Sequence, residues 1–485
     1  MLPSDFTPLP DLVRSHATTR GDHPALIDGE RRLSWRTVDA LVDRAAARFA
    51  GDGLGRGDVV AICAATSAEY LLLWLGALRA GLAVAPIAAS TTPGARAAMI
   101  ADSGAVVQFD GTALAAFEDW IASDSAAAPR VAIAPGDPFN LIYSSGTTGQ
   151  PKGIIQPHSM RWAHIQRGLA QGYGPDAVTL VSTPLYSNTT LVSVFPTIGL
   201  GGTLVLLPKF STDAFLRLSA QHRVTHAMLV PVQYRRLMTD PDFNRYDLSS
   251  YRAKFCTSAP FAPELKAEVL ARWPGGLTEY YGMTEGGGTC ILQCHARPDK
   301  LATVGQPATG SDIRLIDDDG RELPCGAVGE VVGRSPAMMV GYHNCPDATA
   351  AAEWYDPTGL RFIRTGDVGR FDDEGFLTLV DRKKDMIISG GFNIYPSDLE
   401  AVLTQHPLVM EAAVVAAPSE QWGESPAAFV VTKPGGEAEA IRAWANARLG
   451  STQRIASVTL IDALPRSEIG KVLKRELATR ALRKD

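Results

Sequence analysis

The stretch that most restricts what this chain can fold into is Leu141-Ile-Tyr-Ser-Ser-Gly-Thr-Thr-Gly-Gln-Pro-Lys-Gly153. It follows an apolar run and packs four hydroxyls, three glycines and a lysine into the ten positions from Ser144 to Gly153. Glycines let a backbone curl until several N–H groups point inward, and such a nest binds anions. The hydroxyls of Ser144, Ser145, Thr147 and Thr148 add donors, and Lys152 adds a mobile positive charge. The segment reads as a phosphate cradle. It is not a P-loop: Gly146 and Gly149 are too close together, Lys152 is followed by Gly153, and Pro151 disfavours helix at Gln150. A flexible linker would not stand between apolar segments of one compact domain.

With 485 residues the chain exceeds one core, so two or more domains are expected. Its 46% hydrophobic and 20% charged residues are those of an ordinary globular protein. A net charge of −6 argues against a nucleic-acid partner. Six irregularly spaced cysteines suggest reduced thiols and a cytoplasmic setting, and Cys290, Cys294 and His295 lack the second ligand pair of a zinc site. Met1-Leu-Pro-Ser-Asp-Phe shows no export signal. The most membrane-like stretch, Tyr70 to Ala89, contains Arg79, Gly81 and Pro86, so a buried helix leading into a strand is expected rather than a span.

Strand and helix alternate from about residue 25: a strand at Ala25–Ile27, a helix capped by Ser34, a strand at Asp58–Cys63, a helix from Glu69 to Ala80, and strands at Val84–Ile87 and Gly104–Phe109. That is α/β patterning, with parallel-type sheets covered by helices. From Ile313 the texture turns to short strands broken by Asp and Gly, a β-rich layer in which Asp317-Asp-Asp319 is a turn. The last hundred residues form a small α+β pattern, and the boundary is placed near Lys384, giving domains 1–383 and 384–485.

Three further stretches stand out: Tyr281-Gly-Met-Thr-Glu285 with Gly286-Gly-Gly288 after it, Arg364-Thr-Gly-Asp367, and Leu464-Pro-Arg-Ser-Glu-Ile-Gly-Lys471. Together with the cradle, in this order, they resemble the adenylate-forming enzymes: acyl-CoA synthetases, firefly luciferases and peptide-synthetase adenylation domains. The resemblance covers residues 25 to 478. It implies a large N-terminal domain holding the acyl and ATP sites and a small mobile lid. It implies that Tyr281 stacks near adenine, Thr284 donates to the α-phosphate, Glu285 ligates Mg²⁺, and Lys152 serves the phosphates. Asp367 would take the ribose hydroxyls, Arg382 would add a ribose or phosphate contact, and Lys471 would bridge the acyl carboxylate and α-phosphate. Lys384 would be the hinge, and Gly390 and Gly391 would line the pantetheine channel. The acyl pocket would be lined by Tyr186, Ser187, Asn188, Val232, Ser258, Ala259, Gly282, Met283 and Gly286 to Gly288, including Gly287. The three glycines would leave it roomy, and Lys474 and Arg475 would be solvated. In many relatives a histidine stands where this chain has Ser187, and glycine or alanine is more usual at Thr257.

The chemistry suits these residue types. A carboxylate attacking an anionic phosphorus needs its like charges neutralised by Mg²⁺, lysine and loop amides, without an enzyme nucleophile. The expected activity is ATP-dependent ligation of a monocarboxylic acid, aryl or medium-to-long aliphatic, to coenzyme A. Further expectations are that the partners are small molecules and that a homodimer forms. The alternatives are loading of a carrier protein, or a non-catalytic nucleotide-binding regulator. No Gly-x-Ser-x-Gly elbow occurs, which argues against a serine hydrolase.

Overall fold

The computed structural model describes residues 5–122, 128–144, 152–389, 392–450, 453–467 and 470–482, with the side chains of Ser144, Phe392 and Asn393 left aside. Contacts divide the chain into two compact units: Met1–Ile313 with Gly333–Ile363, and Arg314–Val332 with Arg364–Asp485. The boundary expected at Lys384 therefore does not coincide with a break in packing. Long-range charge pairs explain why. Within the second unit Arg364 and Lys383 both reach Glu330, at 2.8 and 3.2 Å, and Ser397 N–H donates to Asp381 at 2.9 Å. Glu330 is 6% exposed, so the β-rich segments are bound to the C-terminal part of the chain.

The first unit contains two sheets. One has nine strands, in the order Gln306–Pro307, Cys290–Gln293, Gly276–Tyr281, Ala253–Cys256, His226–Leu229, Val178–Val181, Thr203–Leu206, Pro24–Asp28 and Arg31–Ser34. The other has six: Gly341–Tyr342, Lys152–Pro157, Pro138–Ser144, Ala83–Pro86, Val59–Cys63 and Ala105–Asp110. The central pairings are parallel, and strands such as Ala83–Pro86, Thr203–Leu206 and His226–Leu229 are buried along their whole length. Such strands read as continuous apolar runs because helices cover both faces.

Besides the edge hairpin of Pro24–Asp28 with Arg31–Ser34, two antiparallel hairpins interrupt this pattern. Pro138–Ser144 pairs with Lys152–Pro157 in the register Ser144↔Lys152, and Gly276–Tyr281 pairs with Cys290–Gln293 in the register Tyr281↔Cys290. Their connections are the two functional stretches. Each hairpin opens from the carboxyl end of a strand in the parallel run, the end at which open α/β sheets bind ligands.

The helix Ala68–Arg79 confirms the buried helix expected from Tyr70 onward, and Ala83–Pro86 is the strand after it. A helix apolar on all sides belongs in a core. A Cβ on Gly76 would lie 2.5 Å from that of Ala45, so the glycine sets the approach to the helix Trp35–Gly51. Buried Arg79 is neutralised by Asp39 and Asp43 at 2.6 and 2.7 Å. No helix among the described residues is long and apolar enough to cross a membrane.

In the second unit Val409–Ser419 and Gly423–Thr432 form a long antiparallel pair joined by Ser457–Leu460 and Ile387–Ser389. Alternation sends Val414 and Val430 to a core with the helices Pro396–Thr404 and Ala438–Asn446, and Ala413, Val415 and Phe429 to another with the helix Lys474–Leu482. Lys474 is not solvated as expected: it pairs with Glu400 at 2.8 Å.

Candidate active site

The cradle residues Ser145, Gly146, Thr147, Thr148 and Gly149, and likewise Gly390 and Gly391, lie outside the described residues. The cradle's flanks are well defined. Its exit strand is paired on the far side by Gly341–Tyr342, in the register Tyr342↔Ile154. Tyr342 is held in place by the Thr349 hydroxyl, which accepts its N–H at 2.9 Å. Its ring lies 5.1 Å from Lys152 Nζ, and its hydroxyl donates to Glu285 Oε1 at 2.8 Å. Burial, then the Glu285 charge, raise the Tyr342 pKa, so the phenol stays a donor. Two groups 133 positions apart in sequence are thus brought to one side chain.

The Thr284–Glu285 turn is fixed by its backbone as well. Gln156 Nε2 donates to Thr284 O at 2.6 Å, and Met339 N–H donates to Glu285 O at 2.8 Å. Gly286, Gly287 and Gly288 have φ of +80°, +80° and +111°. A Cβ on Gly286 would lie 1.9 Å from Ala337 O, and one on Gly287 would lie 2.7 Å from Ile363 Cβ. These glycines serve a close backbone crossing, so the inference from missing side chains to a roomy pocket does not hold. A tryptophan at Gly287 would perturb folding before it narrowed a pocket. Met283 packs beside the Ile154, Met339 and Ile363 cluster.

Behind the turn lies a buried polar network. Arg161, 1% exposed, donates to Asn140 Oδ1 from Nε at 3.1 Å and from Nη2 at 2.9 Å. It also donates to Asn188 Oδ1 at 2.9 Å, and very closely to Gln156 Oε1. Asn140 Nδ2 donates to Gln156 Oε1 at 2.8 Å, and Gln156 Nε2 reaches Asn188 Oδ1 at 3.4 Å. Burial lowers the Arg161 pKa to about 9. A guanidinium held by amide oxygens instead of a carboxylate joins the cradle strands to Asn188 and the Thr284 turn. Asn188 opens the helix Asn188–Gly199. Its neighbour Thr189 shares a 2.5 Å hydrogen bond with Ser258, a serine held at φ +83°. Ser187 is buried, and Tyr186, Ala259, Val232 and Tyr281 are partly buried, while Gly282 is exposed.

In the second unit Arg382 and Asp367 are register partners of one hairpin, with Arg382 Nε 3.0 Å from Asp367 Oδ1. Lys471 belongs to the same neighbourhood. Lys471 is exposed at the surface, yet desolvation by the crowding around its ammonium, with repulsion from Arg382 and Lys384, lowers its pKa to about 8, against the pull of Asp367 and Asp385. The Lys471 N–H donates to Ser467 Oγ at 3.2 Å.

Sequence reasoning missed Tyr342, Gln156, Asn140 and Arg161. A two-residue strand has no period to read, and a buried arginine within a helix is indistinguishable by type from a surface one. Glutamine and asparagine inside strands, where β propensity is low, were the available signal.

Fold and site together define a nucleotide-binding α/β enzyme. The chain matches the AMP-binding enzyme family over residues 13–343 and the AMP-binding enzyme C-terminal domain over 398–471. It is similar to 4-coumarate–CoA ligase 5 of Oryza sativa subsp. japonica, with 32% identity over 514 residues covering 98% of this chain and 94% of that one. It is similar to the fatty acid–[acyl-carrier-protein] ligase ScoC of Streptomyces coeruleorubidus, with 31% identity covering 96% and 95%. Among solved structures it resembles the o-succinylbenzoate CoA synthetase of Bacillus subtilis in complex with its acyl-adenylate intermediate. That match has a TM-score of 0.86 and 26% identity and covers 97% of this chain and 98% of that one. The chain therefore belongs to the AMP-binding enzymes, the adenylate-forming superfamily. Its activity class is that of an AMP-forming acid–thiol ligase, an acyl-CoA synthetase.

Proposed function

We propose that the enzyme activates an aryl or medium-to-long aliphatic monocarboxylic acid with ATP and Mg²⁺, then transfers the acyl group to coenzyme A, releasing AMP and pyrophosphate. The observation that carries this reading is the convergence of Lys152 and Glu285 on Tyr342, beside a Thr284 turn fixed through its backbone. In the first step Thr284 donates to the α-phosphate, and Lys471 bridges that phosphate and the attacking carboxylate. Asp367 and Arg382 hold the ribose, and Tyr281 stacks near the adenine.

The residues fit Mg²⁺. Tyr342 occupies one oxygen of Glu285, and among the described residues nothing else hydrogen-bonds or ion-pairs with that carboxylate. No cluster of three metal-binding side chains occurs among them. One carboxylate with substrate phosphates and water is the usual setting for this ion. Bound there, it would neutralise phosphate charge.

A neutral acid is supported by the pocket positions, none of which is Lys, Arg or His. Arg161 stands behind Asn188, but it is 1% exposed and its donors are engaged. A second substrate carboxylate would stay unpaired, at a cost of several kcal/mol. The relatives named for 4-coumarate and for fatty acids fit both halves of the proposed class.

The test is acid-dependent ATP–pyrophosphate exchange over a panel of aryl, aliphatic and dicarboxylic acids, repeated for product formation with CoA and with a carrier protein. Aryl or longer aliphatic monocarboxylates with CoA are expected to react best. A preference for malonate or acetate would overturn the substrate class, and transfer to a carrier protein alone would overturn the acceptor.

A further inference from the structure

Tyr342 belongs to none of the stretches that carry the resemblance, yet among the described residues it is the side chain that touches both the cradle lysine and the turn carboxylate. Its backbone position is fixed from two sides, by pairing with Ile154 and by the Thr349 hydroxyl. Its side chain divides two tasks. The hydroxyl takes Glu285 Oε1 at 2.8 Å, and the ring face lies 5.1 Å from the Lys152 ammonium. A carboxylate with one oxygen held by a donor has a set orientation and one oxygen left to give. A second partner of this kind on a metal-binding carboxylate changes metal affinity or activity by about 10–100-fold when removed. A cation over a tyrosine ring is held weakly enough to leave for a phosphate.

We propose that Tyr342 is a positioning residue for nucleotide–metal binding: it orients Glu285 toward the metal through its hydroxyl and holds Lys152 near the cradle through its ring. The inference rests on the proposed binding of ATP with Mg²⁺. The hydroxyl's effect passes through Glu285, so it should vanish where Glu285 no longer bears a charge.

Free Mn²⁺ is measured by its electron paramagnetic resonance signal while the full-length enzyme is titrated with Mn²⁺ in the presence of a non-hydrolysable ATP analogue. Nucleotide binding in EDTA is measured beside it. Tyr342→Phe is expected to weaken Mn²⁺ binding about tenfold or more and to leave both metal-free nucleotide binding and the thermal midpoint near those of the wild type. In a Glu285→Gln background the same substitution is expected to change Mn²⁺ binding less than about twofold. Tyr342→Leu, which also removes the ring, is expected to weaken nucleotide binding in EDTA. Mn²⁺ binding by Tyr342→Phe within twofold of a responsive wild type would overturn the proposal, as would an equal loss with and without the Glu285 charge. A wild type that binds the nucleotide analogue without taking up Mn²⁺ would instead overturn the Mg²⁺ reading on which it rests.

Discussion

Replacing Arg161 with Met tests whether the buried network is a set of amides that needs a cation or an ion site missing its counter-charge. Its four acceptors, the amide oxygens of Asn140, Gln156 and Asn188 and the more distant His164 Nδ1, fare differently. Gln156 Oε1 keeps the Asn140 Nδ2 donor at 2.8 Å, and Asn188 Oδ1 keeps Gln156 Nε2 at 3.4 Å. Asn140 Oδ1 loses both guanidinium donors, at 3.1 and 2.9 Å. Asn140 Oδ1 is orphaned, which costs about 1–3 kcal/mol, His164 Nδ1 loses only a long contact at 3.4 Å, and Asn188 exchanges a short bond for a long one at about 1 kcal/mol. Loss of the cation's contacts with Phe139 and Phe195, 5.8 and 5.6 Å from their ring centroids, adds roughly 0.5–1 kcal/mol. Against these, a guanidinium no longer has to be desolvated, and methionine keeps most of the apolar stem. The balance is a destabilisation of about 2–3 kcal/mol. That is less than the roughly 3–5 kcal/mol of a broken buried ion pair, because no carboxylate is stranded. Guanidinium-chloride unfolding followed by near-ultraviolet circular dichroism measures it. A loss below about 0.5 kcal/mol would mean that the amides hold themselves together, and one above about 5 kcal/mol would mean that Arg161 neutralises a further buried charge.

Lys471→Ala should lower adenylation about 10²–10³-fold and spare thioester formation from supplied acyl-adenylate; equal loss in both half-reactions would refute its role. If Lys471 acts as the proposed cation, then with its pKa lowered to about 8 kcat/KM for adenylation should fall as pH rises through that value, and Lys471→Arg should move the limb upward. His158 and His226 are buried and held to about 4, so they are neutral in the fold while the unfolded chain takes up protons below about 6.5. Stability should be complete above that pH and fall towards pH 4, by up to about 1.4 kcal/mol per pH unit for each histidine, and replacing both with phenylalanine should flatten the profile of unfolding midpoint against pH.

The sheets were legible because continuous apolar runs such as Val59–Cys63 can only be buried strands, and the triple aspartate was legible because Asp and Gly punctuate hairpins. The candidate site was legible as motifs, since hydroxyls, glycines and lysine at those spacings suit phosphate chemistry. What joins the motifs was not. Tyr342 acts through a two-residue strand, Arg161 through a cage of amides drawn from three elements, and Glu330 through arginine and lysine more than thirty positions away. Each is a long-range pairing that leaves no local period. The glycines were misread for a related reason: their composition fits both an open pocket and a close crossing, and only the neighbours Ala337, Gly333 and Ile363 decide for the crossing.

The way the two sides of the site are held has a consequence for specificity. The Thr284–Glu285 turn is secured by main-chain atoms: Thr284 O by Gln156, Glu285 O by Met339 N–H, and Gly286 by its bridge to Met338. Such bonds do not depend on which acid is to be bound, and they fix the groups proposed to meet the phosphate and metal. On the proposed acid side the contact is between side chains, the Thr189 and Ser258 hydroxyls, with Ser258 in a left-handed conformation that glycine or asparagine adopts more readily. A serine kept there must be held by its surroundings, and the hydroxyl pair does so. Changes at Ser258 and Thr189 can therefore alter the acid side without releasing the turn. A change at Met339 would act on the proposed nucleotide side whatever acid is offered, whereas one at Gln156, which reaches both Thr284 O and Asn188 Oδ1, would touch both sides.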